Sequence, residues 1–169
     1  MNNTALIFLA NILSGLGMLA MFVSTRLKDK RQMLGIQSFN HGCSAVAGLL
    51  LRGYSGVVQD IVSLVRNLTV IFGRQTKVLN LIFVGTGLVL GLAFNNRGLV
   101  GLLPILASTE YAIVVVRPAS TERTLKTAIV ASTLCWAAYS LFLLNFVNMT
   151  ANLITCASAL LYLYQHRGR

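Results

Sequence analysis

The sequence predicts an all-α polytopic membrane protein with seven transmembrane helices laid out as three, one and three. Two observations predict the class and a third predicts the layout. Of 169 residues, 56% are hydrophobic and only 11% are charged, against roughly a quarter charged in an ordinary soluble domain; mean hydropathy is +0.73. Charged and Asn/Gly-rich breaks divide the chain into seven apolar segments near the length of about 17–25 residues that a spanning helix needs. Finally, sliding the first half by 92 residues places Cys43 on Cys135, the link near Arg52–Gly53 on that near Leu144–Asn145, and Asp60 on Asn152. A single helix between two triplets returns the chain to its starting side, so both triplets run in the same orientation. Barrel strands would alternate over about 10 residues, and "LIFVGTGLVLGLAF" (81–94) does not. The expected organisation is one membrane domain over 1–169, with 4–72 as first repeat, 78–94 as linker helix and 99–164 as second repeat, each repeat a three-helix bundle.

Segment one, Thr4–Thr25, has no basic leader and no small-residue cleavage site, so it is read as a retained span. Segment two, Met33–Leu51, carries Gln37, His41, Ser44 and Gly48 on one helical line, with Asn40 beside it. Segment three, Tyr54–Phe72, has the clearest pattern. At about 100° per residue, Gln59, Asp60, Ser63, Arg66 and Asn67 share a sector of roughly 120° that only Val70 interrupts, while Ile61, Leu64, Val65 and Leu68 form an apolar back. Such a stripe must face protein or a wet cavity, because polar groups in hydrocarbon are costly. Asp60 and Arg66 stand about 9 Å apart along the axis, too far for a simple pair within the helix, so either each finds partners on other helices or Asp60 is neutral, since desolvation favours the uncharged carboxyl.

Segment four, Val78–Phe94, is the connector. Segment five, Leu99–Val116, contains Glu110, near enough to its basic end to reach the interface, and Pro104, which inside a helix removes a hydrogen bond and kinks it, serving as a hinge or as static shape. Segment six, Thr124–Leu143, places Ser132, Trp136, Tyr139 and Ser140 on one face; Trp136 serves packing or, with Tyr139, a stacking wall. Segment seven, Asn148–Tyr164, repeats the polar line with Asn148, Asn152 and Thr155, Tyr162 lying near it.

Eleven of the fourteen Lys and Arg follow odd-numbered segments: Arg26, Lys28, Lys30 and Arg31, then Arg74 and Lys77, then Arg117, Arg123 and Lys126, then Arg167 and Arg169. Arg52 and Arg97 fall on the other side, and Arg66 lies inside a span. Loop Lys/Arg bias sets orientation, so the N-terminus is expected outside and the C-terminus in the cytoplasm. The net charge of +10 is therefore a topology signal and a contact for anionic lipid headgroups, not a nucleic-acid footprint. Cys43, Cys135 and Cys156 lack metal-ligand or redox spacing, and no H-E-x-x-H, G-x-S-x-G or catalytic carboxylate pair occurs. Neither an enzyme, a cofactor nor a metal is expected.

These stripes are expected to converge on one substrate site lined by Asp60, Arg66, Asn152, Gln37, His41, Ser63, Asn148 and Trp136, with Pro104 as gating or hinge residue. Asn, Ser and Gly stripes also serve plain helix packing, and Arg66 has a structural reading as an ion-pair member or carbonyl cap. An intramembrane ion is nevertheless a functional feature by default. Two function classes follow. One is a small-solute transporter or facilitator, with Arg66 favouring an anionic or zwitterionic group and proton coupling if Asp60 or His41 titrates. The other is a non-transporting scaffold or receptor whose charges only fix the bundle.

With Arg66, Leu102-Leu103-Pro104 in "GLLPILAST" (101–109) and Cys135-Trp136 in "STLCWAAYS" (132–140), the chain resembles the YgjV-type bacterial inner-membrane proteins from about segment two onward. The resemblance implies an inner-membrane location. It also marks two departures: Ser63 stands where relatives carry Asn, and Asn152 where they carry Glu. More remotely, the chain is similar to the SWEET/PQ-loop (MtN3-like) transporters, which share the three-one-three plan and the orientation and contact substrate through an Asn on the third helix of each triplet. Asp60 and Asn152 are the nearest counterparts. No Pro-Gln motif occurs, and Pro104 alone stands where those families place several helix prolines, so gating by their proline hinges is not implied.

Overall fold

The computed structural model describes residues 3–24, 30–74, 76–116 and 121–165. These form seven helices, with no strand among the described residues: α1 (Asn3–Ser24), α2 (Lys30–Leu50), α3 (Tyr54–Ile71), α4 (Lys77–Ala93), α5 (Leu102–Val116), α6 (Glu122–Phe142) and α7 (Phe146–Gln165). Arg26, Lys28, Arg117, Arg167 and Arg169 of the basic clusters lie outside the described residues. By length and composition, α1, α6 and α7 can each cross a membrane, while α4 and α5 are apolar but shorter. Large apolar side chains on the outer faces, such as Phe8, Leu19, Phe39, Ile61, Leu81, Val89 and Leu161, are about half exposed or more. Only a hydrocarbon surround makes that surface favourable.

Helix ends extend past the apolar segments where polar residues cap them. The Thr76 hydroxyl accepts from Leu79 N–H at 3.1 Å and starts α4, and that of Thr121 accepts from Thr124 N–H at 3.2 Å before α6. The opposite correction applies to α5. Leu99–Gly101 form a turn, closed by Leu102 N–H to Leu99 O and Leu103 N–H to Val100 O, both 3.2 Å. Pro104 therefore falls in the first turn of α5, where its missing N–H has no helical partner to lose. The interior position that a proline kink requires is not met; Pro104 is a fully buried start to the helix.

Each helix packs on its chain neighbours, and α7 returns to α1, so the seven close a ring in sequence order. Because α3 also touches α5, α4 stands outside an inner ring of six. Among the described residues α1 does not pack on α3, nor α5 on α7. Each triplet is thus an open arc rather than a three-helix bundle: packing its outer members together would bury the polar faces that instead surround the central space.

Shifted by 92, the bounds of α2 fall on those of α6, the start of α3 on that of α7, and the end of α1 on that of α5. The two links match bond for bond. Gly53 N–H bonds Gly48 O at 2.8 Å and Arg52 N–H bonds Leu49 O at 3.1 Å; Asn145 N–H bonds Ser140 O at 2.9 Å and Leu144 N–H bonds Leu141 O at 3.0 Å. Both links are Schellman caps whose left-handed residue, usually glycine, is here Arg52 (φ 56) or Leu144 (φ 58).

Each link is sealed by the opposite arc. Asn11 on α1 donates to Leu144 O at 3.0 Å and accepts from Val147 N–H at 3.1 Å. Asn96, just before α5, donates to Arg52 O at 2.8 Å and accepts from Tyr54 N–H at 3.3 Å, while Arg97 donates to Leu51 O at 2.7 Å. These bonds satisfy carbonyls that the helices leave without partners. Between the links, Ala10, Ala47, Leu51, Tyr139 and Leu143 form a buried apolar cluster that fills this end of the ring.

Candidate functional site

The site begins where that cluster ends. Tyr139, 3% exposed, lies under the α2–α3 link, and its hydroxyl accepts from Gly56 N–H at 3.3 Å. The approach requires glycine: a Cβ on Gly56 would meet Tyr139 Cε1 at 2.6 Å, and one on Gly53 would strike the Tyr139 hydroxyl and meet Leu143 Cδ1 at 2.6 Å. Trp136 meets the Tyr139 ring edge-on, with centroids 6.0 Å apart and planes at 79°. The pair is therefore a plug with a flank, not a stacking wall. Only about 20 Å³ of space remains beside Tyr139, Gly56 and Ser140.

Away from the links the interior opens into a cavity of about 380 Å³. Its wall holds Gln37 and His41 from α2, Asp60, Ser63 and Arg66 from α3, Trp136 from α6, and Asn148 and Asn152 from α7. All eight residues assigned from the sequence as a site thus share one cavity, whereas Pro104 lies off it in the buried start of α5. The helical spacing explains the convergence, since each stripe lies on the inner face of its own helix.

Asp60 takes its partner from the next helix, with His41 Nδ1 2.9 Å from its Oδ1. The two side chains are 12% and 26% exposed, so the pair is shielded yet borders the cavity. On α7 the amides form a ladder: Asn148 Nδ2 donates to Ser140 Oγ at 2.9 Å, and Asn152 Nδ2 donates to the Asn148 carbonyl at 2.8 Å. Gln59, although part of the same stripe, turns to α4 and donates to Gly87 O at 2.7 Å. It fastens a helix and does not line the central cavity.

Arg66 differs from all of these. Among the described residues no carboxylate lies within ion-pair distance of its guanidinium, and Asp60 is already matched by His41. It also borders a second chamber, of about 460 Å³, between α2, α3, α4 and α5. Gln37, Ser63, Asn67, Ser108 and Tyr111 line both spaces with it, so the chambers meet at a common polar wall. A guanidinium placed there presents a fork of donors suited to a carboxylate or phosphate.

Sequence comparison supplies the affiliation. The model of the bacterial inner membrane protein family Imp-YgjV matches residues 8–169. The chain belongs to this family. No curated protein matches it, and no solved structure does. As an Imp-YgjV protein it is an integral protein of the bacterial inner membrane, in keeping with its membrane-crossing helices.

Some of this Imp-YgjV site carried no signal in the sequence. Met21 reaches the central wall from an apolar helix without distinguishing pattern, and Asn80, Phe83 and Val84 line the second chamber from a helix read as connector. The Gly87–Gly91 spacing on α4 was the available clue: a Cβ on Gly91 would meet Gln59 Nε2 at 2.7 Å and Ile105 Cγ1 at 2.9 Å, so α4 is held closest at that end. Among the described residues no group of three or more His, Cys, Asp or Glu could hold a metal.

Proposed function

We propose that the protein is a small-solute transporter or facilitator whose binding site is the cavity between two three-helix repeats, reached in turn from each side of the inner membrane. The observation that carries the reading is Arg66, a cation without an acidic partner among the described residues, facing internal space beside an Asp60 that is already satisfied. A purely structural guanidinium within a membrane helix would be expected to pair, since an unpaired charge there is costly. Here the complementary charge would arrive with the solute, an anionic or zwitterionic molecule, and the amides and hydroxyls around it would replace its water.

All seven helices span in this reading, with the N-terminus outside and the C-terminus in the cytoplasm. What supports this is the loop charge bias. The match of helix bounds and link bonds at an offset of 92 supports a duplicated, parallel three-one-three plan like that of the SWEETs. In that orientation Tyr139 and its apolar cluster lie at the outer end, the cavity lies on their cytoplasmic side, and the basic cytoplasmic rim would meet anionic lipid headgroups.

The test is thermal stability of the detergent-purified protein against a panel of metabolites, for wild type, Arg66→Gln and Asp60→Asn, followed by uptake into liposomes. A compound that stabilises wild type but not a folded Arg66→Gln variant, and that is taken up, is expected. If no compound shifts wild type and both variants melt far lower, the charges are structural, and the scaffold or receptor reading replaces this one.

A further inference from the structure

We infer that the chamber behind Arg66 receives the apolar part of the solute, so that the substrate is an organic anion carrying a short hydrocarbon or aromatic group rather than an inorganic ion. This rests on the reading of Arg66 as an anion site. One wall of the chamber is α4. At Gly87 and Gly91 the helix is held against α3 and α5 by the Gln59 bond and by close contact with Ile105. Nearer its N-terminus, Asn80, Phe83 and Val84 line the open space of about 460 Å³. That volume lies in the range of small-molecule pockets.

The chemistry of the walls is divided. Leu34, Val62, Val70, Phe83, Val84 and Ala112 supply an apolar surface, interrupted by the polar side chains of Gln59, Asn80 and Thr109, and Arg66 stands at the boundary with the polar central cavity. A small hydrated anion would gain nothing from those six side chains. An acid bound through its carboxylate to Arg66 would bury its tail against them. Along α3 the chamber's lining runs from Gln59, seven residues before Arg66, to Val70, four after it, about 10 Å one way and about 6 Å the other.

The experiment uses the purified full-length protein in detergent, titrated calorimetrically with sodium acetate, butyrate, hexanoate and octanoate, with hexanol as uncharged control. Affinity is expected to rise by roughly threefold to fourfold per methylene, as burial of about 0.8 kcal/mol per CH₂ implies, and to level off once the tail outgrows the chamber. Arg66→Gln should abolish binding of the whole series. Val84→Trp, which fills the chamber from α4, should flatten the dependence on length, lowering octanoate affinity by a larger factor than acetate affinity; Val62→Trp does the same from α3 should the first variant not fold.

Anion binding that needs Arg66 but is indifferent to tail length overturns the chamber and leaves the anion site standing. A length dependence that persists in both Trp variants, or that hexanol reproduces, assigns the gain to the micelle and overturns the chamber equally. Absence of any Arg66-dependent binding removes both readings together.

Discussion

Replacing Gly56 by alanine tests the closure of the link end most directly. The new Cβ would lie 2.6 Å from Tyr139 Cε1 and 3.1 Å from Cζ, whereas carbon atoms rest at about 3.5–4.0 Å, so the ring must withdraw by about 1 Å. Little room exists for that movement, because Tyr139 is packed in the cluster with Ala10, Ala47, Leu51 and Leu143 and is flanked by Trp136. Overpacking of this kind costs about 1–3 kcal/mol, and displacement of the hydroxyl also loses the 3.3 Å bond from Gly56 N–H, worth about 1 kcal/mol at most at that length. A loss of about 2–3 kcal/mol corresponds to a fall of roughly 4–12 °C in Tm for a chain of this size. Tyr139→Leu removes the obstructing ring, so the double variant should be less destabilised than the sum of the singles by about 1 kcal/mol or more. Thermal unfolding in one detergent, read for all four proteins, measures this. Strict additivity, or a Gly56→Ala protein within about 0.5 kcal/mol of wild type, would refute the tight approach of Tyr139 to the link.

Arg52→Gly and Leu144→Gly should each raise Tm by a few degrees, since a left-handed conformation costs a side-chain-bearing residue about 1–2 kcal/mol and both residues adopt it; a fall in both proteins would count against the caps. Asn11→Ala removes two bonds to the α6–α7 link and should cost about 1–2 kcal/mol, visible as faster hydrogen exchange at Val147, whose amide it accepts from. A double-mutant cycle of His41→Gln and Asp60→Asn should yield a coupling of about 1–3 kcal/mol, and a coupling near zero would show that the 2.9 Å pair does not hold α2 to α3.

The sequence revealed what depends on periodicity within one helix. The stripe of α3 was legible because side chains three, four or seven residues apart must share a face whatever surrounds them, and the positions of the two links because they are written directly in the chain. What stayed hidden depends on how helices are rotated against one another. Nothing in α2 alone says that His41, rather than Gln37 or Ser44, meets Asp60. Gln59 and Asp60 are adjacent in sequence, yet a 100° turn sends one to α4 and the other to the cavity. The late start of α5 was invisible because Leu99 and Val100 are as apolar in a turn as in a helix. The second chamber was missed because its wall on α4, at Asn80, Phe83 and Val84, belongs to a helix read only as a connector.

The crossed sealing of the two links bears on how the protein is made. When α2 and α3 emerge during synthesis, the carbonyls of Leu51 and Arg52 await Asn96 and Arg97, more than forty residues later, and Asn11 at the beginning of the chain finds Leu144 only when α7 is being laid down. Each link closes its own turn, yet carbonyls in both are capped only from the other half of the chain. Two fragments divided within α4's flanking loops, expressed together, would regain stability by exchanging these seals, and either fragment alone would be left to the quality-control proteases of the membrane.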